Sequence, residues 1–295
     1  MVTTGFINYL KFEKRYSPHT TTAYKKDLNQ FDSFLRSEYE VAEVNDISYQ
    51  MVRSWIVELM EQEISARSVN RKLSVLKSYF KYLTKEELIN VNPMPKIQSP
   101  KTSKKLPVFV DSETMETLFS DELFCDDFEG IRDRLILEMF YMTGVRLSEL
   151  INLKDSDIDF YQQNIKVLGK RNKERLIPIP KGLIDSIKKY LEIRNKSIEV
   201  IEQNNFFYVT KKGKKLYEKL AYRIVNLYLG KVSTLQKKSP HVLRHTFATH
   251  MLNNGADLNA IKEILGHSNL AATQIYTHNT IEKLKNIYKQ AHPRA

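Results

Sequence analysis

The sequence predicts a mainly α-helical protein of two domains, with a small β-sheet confined to the second, on three observations. A chain of 295 residues is longer than one average domain needs to bury a core. Apolar residues recur at helical spacing throughout the first hundred positions, whereas short β-type runs occur only later. Between the two regions Ser99 to Pro107 holds two prolines and three lysines without apolar periodicity, the character of an exposed linker. The expected division is residues 1–98, a linker at 99–108, and residues 109–295.

In the first region Ser17-Pro18 reads as a helix start, with Ser17 as cap and Pro18 in the first turn. Tyr24, Leu28, Phe31 and Leu35 then line one face. A second helix runs from Ser48 to about Glu61 and carries the lone Trp55. A third, from about Ser65 to Leu83, places Val69, Leu73, Leu76, Phe80 and Leu83 on its apolar side. At about 100° per residue Arg67, Arg71, Ser74 and Ser78 fall opposite, with no acid on that face of the helix. Cations among small hydroxyls suit close approach to a phosphate backbone, and they also suit plain solvation. The whole reads as a bundle of about four helices.

Beyond the linker Ile131, Leu135, Met139 and Met142 mark a buried helix that stops at Thr143-Gly144, where glycine supplies the left-handed turn. Asn164–Leu168 and Glu174–Pro178 read as strands of a hairpin around the connection 169–173, and Phe206 to Val209 as a third strand. Helices follow to the end. The last carries Ile281, Leu284 and Tyr288 in one stripe, which either packs on its own domain or meets a neighbouring subunit.

Charge narrows the class of function. The chain has 46 Lys+Arg against 35 Asp+Glu, a net +11. The excess is localised: residues 111–160 hold 4 basic and 14 acidic side chains, and residues 161–240 hold 19 basic and 6 acidic. Such a window points to a polyanion partner. No run of about 18 apolar residues is present and the N-terminus lacks a signal-peptide pattern, so a soluble, cytoplasmic protein is expected. Cys125 is the single cysteine, which excludes an internal disulfide and a cysteine-based zinc site.

Six of the seven histidines lie in the last 55 residues. His241 and His245 stand four apart, yet no glutamate stands between them as a metalloprotease base and no acid follows at ligand spacing, which argues against a metal. No Gly-x-Ser-x-Gly turn supports a serine hydrolase. Metal-free phosphoryl transfer fits better, because it needs fixed donors for the charge on the non-bridging oxygens. Arg146, following the helix-ending Gly144, and Arg244 are two such donors. Tyr276, ten residues after Gly266, can form a phosphoester, and Lys170 in the hairpin connection can pass a proton to a departing oxygen. Singly, each of these residues has an ordinary alternative in core, surface or cap.

In combination and order, the segments Thr143 to Leu150, the Lys170 loop, Pro240 to His250 and Leu265 to His278 resemble the catalytic boxes of the tyrosine recombinase (phage integrase) family. Ser17-Pro18-His19-Thr20 with Tyr24 and Leu28, and Ser68 to Tyr82, resemble its N-terminal core-binding helices, so the likeness covers nearly the whole chain and points to Xer-type members. The resemblance implies a C-clamp of a SAM-like core-binding domain and a catalytic domain around double-stranded DNA. It implies Arg146, Lys170, His241, Arg244 and His267 as the activating set, Tyr276 as nucleophile, and no cofactor, metal or small-molecule substrate. His245, His250 and His278 are expected to be structural or to support the reacting residues from behind. In the family the hairpin connection reads Gly-Lys-Gly; here Arg171 follows Lys170, adding with Lys173 a cation near the DNA.

The reaction implied is attack of Tyr276 on a DNA phosphate, giving a 3′-phosphotyrosyl link and a free 5′-hydroxyl, then reversal by the hydroxyl of a partner strand. The expected setting is a homo- or hetero-tetramer on DNA; in the family the C-terminal segment docks on a neighbouring subunit, which leaves the stripe here with either that partner or its own domain. The expected role is chromosome dimer resolution, with integration or inversion of a mobile element as the alternative. A DNA-binding protein without catalysis and a relaxing topoisomerase are the rivals from other classes.

Overall fold

The structure is a computed structural model that describes residues 3–41, 43–102, 108–169, 174–198, 205–266 and 278–294, with the side chains of the last stretch described from residue 284. It divides into two compact units, Met1–Lys105 and Leu106–Ala295.

The first unit is built from α1 (Thr3–Asn8), which runs on into a π-helical turn at Tyr9–Glu13, then α2 (Pro18–Tyr39), α3 (Tyr49–Glu61) and α4 (Ala66–Lys85). Three of the helix starts are fixed by serine. Ser17, Ser48 and Ser65 each accept a bond from a backbone N–H three residues on, satisfying a donor the helix leaves free. The core gathers Leu28, Phe31, Trp55, Leu73, Leu76 and Phe80 at 1% exposure or less, with the Phe31 and Trp55 rings 4.8 Å apart. One polar knot sits among them. Asp27, 2% exposed, takes Lys72 Nζ at 2.9 Å, while Arg71 grips both its oxygens. Lys72 also donates to Gln30 at 2.6 Å.

The second unit has α5 (Ser112–Leu118), α6 (Phe128–Thr143), α7 (Leu147–Asn152), a three-stranded antiparallel sheet, then α8 (Lys181–Ser197), α9 (Glu218–Val232), α10 (Pro240–Asn253), α11 (Leu258–Leu265) and α12 (His278–Ala291). The strands are β1 (Ile158–Asp159), β2 (Asn164–Leu168) and β3 (Glu174–Pro178), in that order. Ile165 faces Ile177 and Val167 faces Arg175 across the hairpin. Helix α6 is the central post: nearly all of it is buried, with α8 on one side and α10 on another.

Phe206 to Val209 is not a strand of this sheet. It makes only isolated bridges, Lys154 with Phe206 and Val209 with Lys215. Phe207, Tyr208 and Val209 are all at 1% exposure or less and Phe206 is half-buried, so most of the segment is enclosed beside α8. Tyr190 donates from its hydroxyl to the Phe207 carbonyl at 3.1 Å, and Arg194 donates to the same oxygen at 3.0 Å. The third strand is β1, whose two residues are too few to show a period.

The C-terminal stripe packs on its own unit. Leu284 and Tyr288 are 3% and 2% exposed, and the Tyr288 hydroxyl donates to the Met142 carbonyl at 2.8 Å. Ile281 lies outside the described side chains. His292 stacks on Tyr288 at 4.8 Å and donates from Nε2 to the Tyr141 carbonyl at 3.3 Å, while its Nδ1 accepts from the Arg294 N–H at 3.1 Å. Burial holds its pKa down to about 4, so the ring is neutral. These bonds occupy carbonyls in the last turn of α6 that the helix itself leaves open.

Candidate active site

The site assembles where α6 and α11 end. Both stop at glycines in the left-handed conformation, Gly144 at φ 61° and Gly266 at φ 65°. After Gly144 the chain turns at once into α7, whose N-cap is Arg146. Glu149, three residues on, accepts the Arg146 N–H at 2.7 Å and its Nη1 at 2.7 Å, so one carboxylate fixes both the backbone and the side chain of that arginine. Arg146 reaches on to donate from Nη2 to the Gly266 carbonyl at 3.1 Å.

Arg244 comes from the first turns of α10, where Pro240 occupies the first helical position. It is 9% exposed and donates from Nη2 to the Leu265 carbonyl at 2.7 Å and from Nη1 to the Gly144 carbonyl. Burial, and then the nearby guanidinium groups of Arg146 and Arg175, press its pKa down to about 9, which still leaves it charged at neutral pH.

Arg175 enters from β3, 4% exposed. It donates to Glu149 Oε1 at 2.7 Å and Oε2 at 2.8 Å, and from Nε to the Ile264 carbonyl at 2.7 Å. The carbonyls of Ile264, Leu265 and Gly266 thus each accept from a different arginine, at the helix end where the macrodipole favours cations. Burial acts to raise the pKa of Glu149, but the bonds and charge of Arg175, and then the bonds from Arg146, outweigh it and hold the pKa at about 2.

The cluster therefore joins two of the expected residues, Arg146 and Arg244. His241 is exposed on α10, one turn before Arg244. Lys170, Arg171, Lys173, His267 and Tyr276 lie outside the described residues. His250 is buried against Tyr141, its Nδ1 2.9 Å from the Tyr141 hydroxyl, and burial lowers its pKa. Among the described residues no group of three or more His, Cys, Asp or Glu is placed to hold a metal ion.

On α4, Arg67, Ser68, Asn70, Arg71 and Ser74 line an open depression of about 460 Å³. Ser78 is half-buried on the same helix. The face differs from its sequence reading in one respect: an acid does meet it, from α2, since Asp27 holds the guanidinium of the half-exposed Arg71. The Ser74 hydroxyl donates to the Asn70 carbonyl at 2.9 Å.

Three residues of these clusters escaped sequence reasoning: Glu149, Arg175 and Asp27. Glu149 had a readable signal, the N-cap to third-residue spacing from Arg146. Arg175 had a fainter one, because two-residue alternation puts it on the inward face with Ile177. Asp27 had none, since its partners are 44 and 45 residues away.

Residues 109–283 match the Phage integrase family, and residues 3–87 match the Phage integrase, N-terminal SAM-like domain. The chain is 40% identical over 292 residues to Tyrosine recombinase XerC of Staphylococcus aureus, covering 99% of this chain and 96% of that protein. It is 38% identical over 314 residues to Tyrosine recombinase XerC of Chlorobaculum parvum, covering 98% and 94%. Among solved structures, XerH site-specific recombinase bound to palindromic difH substrate superposes with a TM-score of 0.72 at 20% identity over 93% of this chain and 77% of that one. The Tn1549 transposon integrase in complex with circular intermediate DNA gives 0.71 at 19% identity, over 94% and 96%. At those identities the two structures speak to the fold. No described helix is long and apolar enough to cross a membrane. The chain belongs to the phage integrase family and is a Xer-type tyrosine recombinase, an enzyme that cuts and rejoins DNA.

Proposed function

We propose that Arg146, Lys170, His241, Arg244 and His267 activate a phosphate of double-stranded DNA for attack by Tyr276. The observation that carries this reading is the anchoring of Arg146 and Arg244 on the adjacent carbonyls of Gly266 and Leu265. Two guanidinium groups are thereby fixed at the point where the chain continues towards His267 and Tyr276. Donors held in place before the reaction stabilise the charge that develops on the non-bridging oxygens without reorganising. Attack by the Tyr276 oxygen forms the P–O(tyrosyl) bond and breaks the P–O5′ bond. Lys170 supplies the proton that the departing 5′ oxygen takes up, His267 bonds a non-bridging oxygen, and His241 assists removal of the tyrosine proton. The phosphoester is kept in the covalent link, so no ATP is consumed and the reverse step needs only an incoming 5′-hydroxyl.

The substrate is duplex DNA, a reading supported by the DNA-bound state of the two superposed structures and by the basic window at 161–240. Arg67, Arg71, Ser74 and Ser78 on α4, with Arg171 and Lys173 of the hairpin connection, are the proposed backbone contacts. A homo- or hetero-tetramer on DNA in the cytoplasm, acting in chromosome dimer resolution, is the setting that follows from the Xer-type relatives. The similarity of about 40% to XerC proteins over the full chain favours this over integration or inversion of a mobile element.

Incubation with a nicked duplex, which traps the covalent stage, tests the assignment. The unaltered chain is expected to form a protein–DNA adduct, and Tyr276→Phe to bind the duplex without forming one. An adduct that persists in Tyr276→Phe removes that residue from the reaction. Mapping chromosomal binding of the same variant locates the site: a single locus near the replication terminus supports dimer resolution, and repeats flanking an element support mobility.

A further inference from the structure

Arg175 has no part in the reaction set above, yet among the described residues it is the most enclosed cation around it. Its side chain is 4% exposed against 31% for Arg146, and both donate to the same carboxylate, Glu149, itself 2% exposed. Glu149 thus faces Arg146 from the start of its own helix and Arg175 from β3. Arg244 of α10 lies within the field of both arginines, and the end of α11 offers the Ile264, Leu265 and Gly266 carbonyls.

If β3 needed only to pack, an apolar residue opposite Val167 and on the face of Ile177 would serve without removing a cation from water. One carboxylate cannot neutralise two guanidinium groups, so Arg146, Glu149 and Arg175 together keep one positive charge beside that of Arg244, and the more exposed Arg146 carries it outward. We propose that Arg175 is a positioning residue of the strand-cutting step: by taking up the charge of Glu149 it leaves the anchored Arg146 guanidinium net positive towards the scissile phosphate. Without Arg175, Glu149 has only Arg146 to neutralise it, and the charge meant for the phosphate is spent internally. The proposal rests on the assignment of Arg146 to the phosphate.

The test uses the full chain and a nicked duplex carrying the site recovered with Tyr276→Phe. Arg175→Met is expected to bind this duplex as the unaltered chain does but to form the adduct about 100-fold more slowly. The double variant Arg175→Met/Glu149→Gln is expected to regain about tenfold over Arg175→Met, because loss of the carboxylate charge returns the charge of Arg146. A merely structural Arg175 gives the opposite result, a double variant no faster than the single one, and that result overturns the proposal. If a thermal melt finds Arg175→Met unfolded, Arg175→Lys decides: it keeps the charge and gives up the fork, and is expected to cut within about tenfold of the unaltered chain. An Arg175→Lys chain that binds the duplex yet cuts about 100-fold more slowly overturns the proposal as well. Failure of the unaltered chain to form any adduct counts against the proposed reaction, and not against Arg175 alone.

Discussion

Gly144 joins backbone conformation to chemistry at a single residue. Its φ of 61° is open to glycine, and a methyl group there would fall 2.7 Å from Leu265 Cδ2 and 2.7 Å from Phe247 Cδ1. A left-handed residue costs other L-amino acids about 1–2 kcal/mol, and overpacking of a core costs about 1–3 kcal/mol. Gly144→Ala should therefore lower unfolding stability by about 2–5 kcal/mol, read as a drop in the urea midpoint at constant slope. Because the Gly144 carbonyl also holds Arg244, adduct formation should fall in the same variant even where it stays folded. The role of Gly144 as a stop was legible in the Thr143-Gly144 pair. Its closeness to Leu265 and Phe247 was not, since those contacts span more than 100 positions and leave no local period.

At the scale of elements, what is periodic or capped could be read and what depends on a distant partner could not. The three serine caps, the stop of α6 and the bounds of β2 and β3 follow from local chemistry, and they stand where that chemistry puts them. Phe206 to Val209 has strand composition but packs against α8 and its neighbouring loops, where Phe207, Tyr208 and Val209 reach full burial in place of a half-exposed sheet edge. The stripe of α12 left two partners open from sequence, and the bond from Tyr288 to the end of α6 belongs to the packed alternative. Tyr288→Phe should cost about 1–3 kcal/mol, the penalty for leaving the buried Met142 carbonyl without a donor. Thermal unfolding checks it, and an unchanged melting temperature would mean that this carbonyl finds another donor.

Across the molecule the arithmetic of charge acquires a second meaning in the pH dependence of the fold. Burial lowers His292 from its ordinary 6.5 to about 4, so the unfolded chain takes up that proton first; this stability is complete above about 6.5 and is lost as pH falls to about 4. Burial raises Asp133 from 3.8 to about 6, so the folded chain takes up its proton first, and stability rises as pH falls through the same range. Each contribution is about 3 kcal/mol, and the two oppose. Glu149, held at about 2, then loses about 3 kcal/mol as pH falls from about 4.5 to 2. His250, also lowered by burial, adds a loss of the same sign as His292, so the urea midpoint should fall slightly between pH 7 and 4.5 and more steeply below that. In His292→Gln the fall between pH 6.5 and 4 should be lost or reversed; a pH response unchanged from that of the unaltered chain would mean that burial does not hold the His292 pKa down. None of this was visible in the net +11, because burial and not composition decides which groups shift.

The end of α11 presents three successive carbonyls, and each answers to an arginine from a different element. In an α-helix each residue adds about 100° of rotation and about 1.5 Å of rise. One residue inserted into or deleted from Leu258–Leu265 would carry all three acceptors away from their donors together. The letters of that segment are free to drift within their apolar pattern, but their number is not, and divergence in such chains must spare the length of this helix while it alters its sequence.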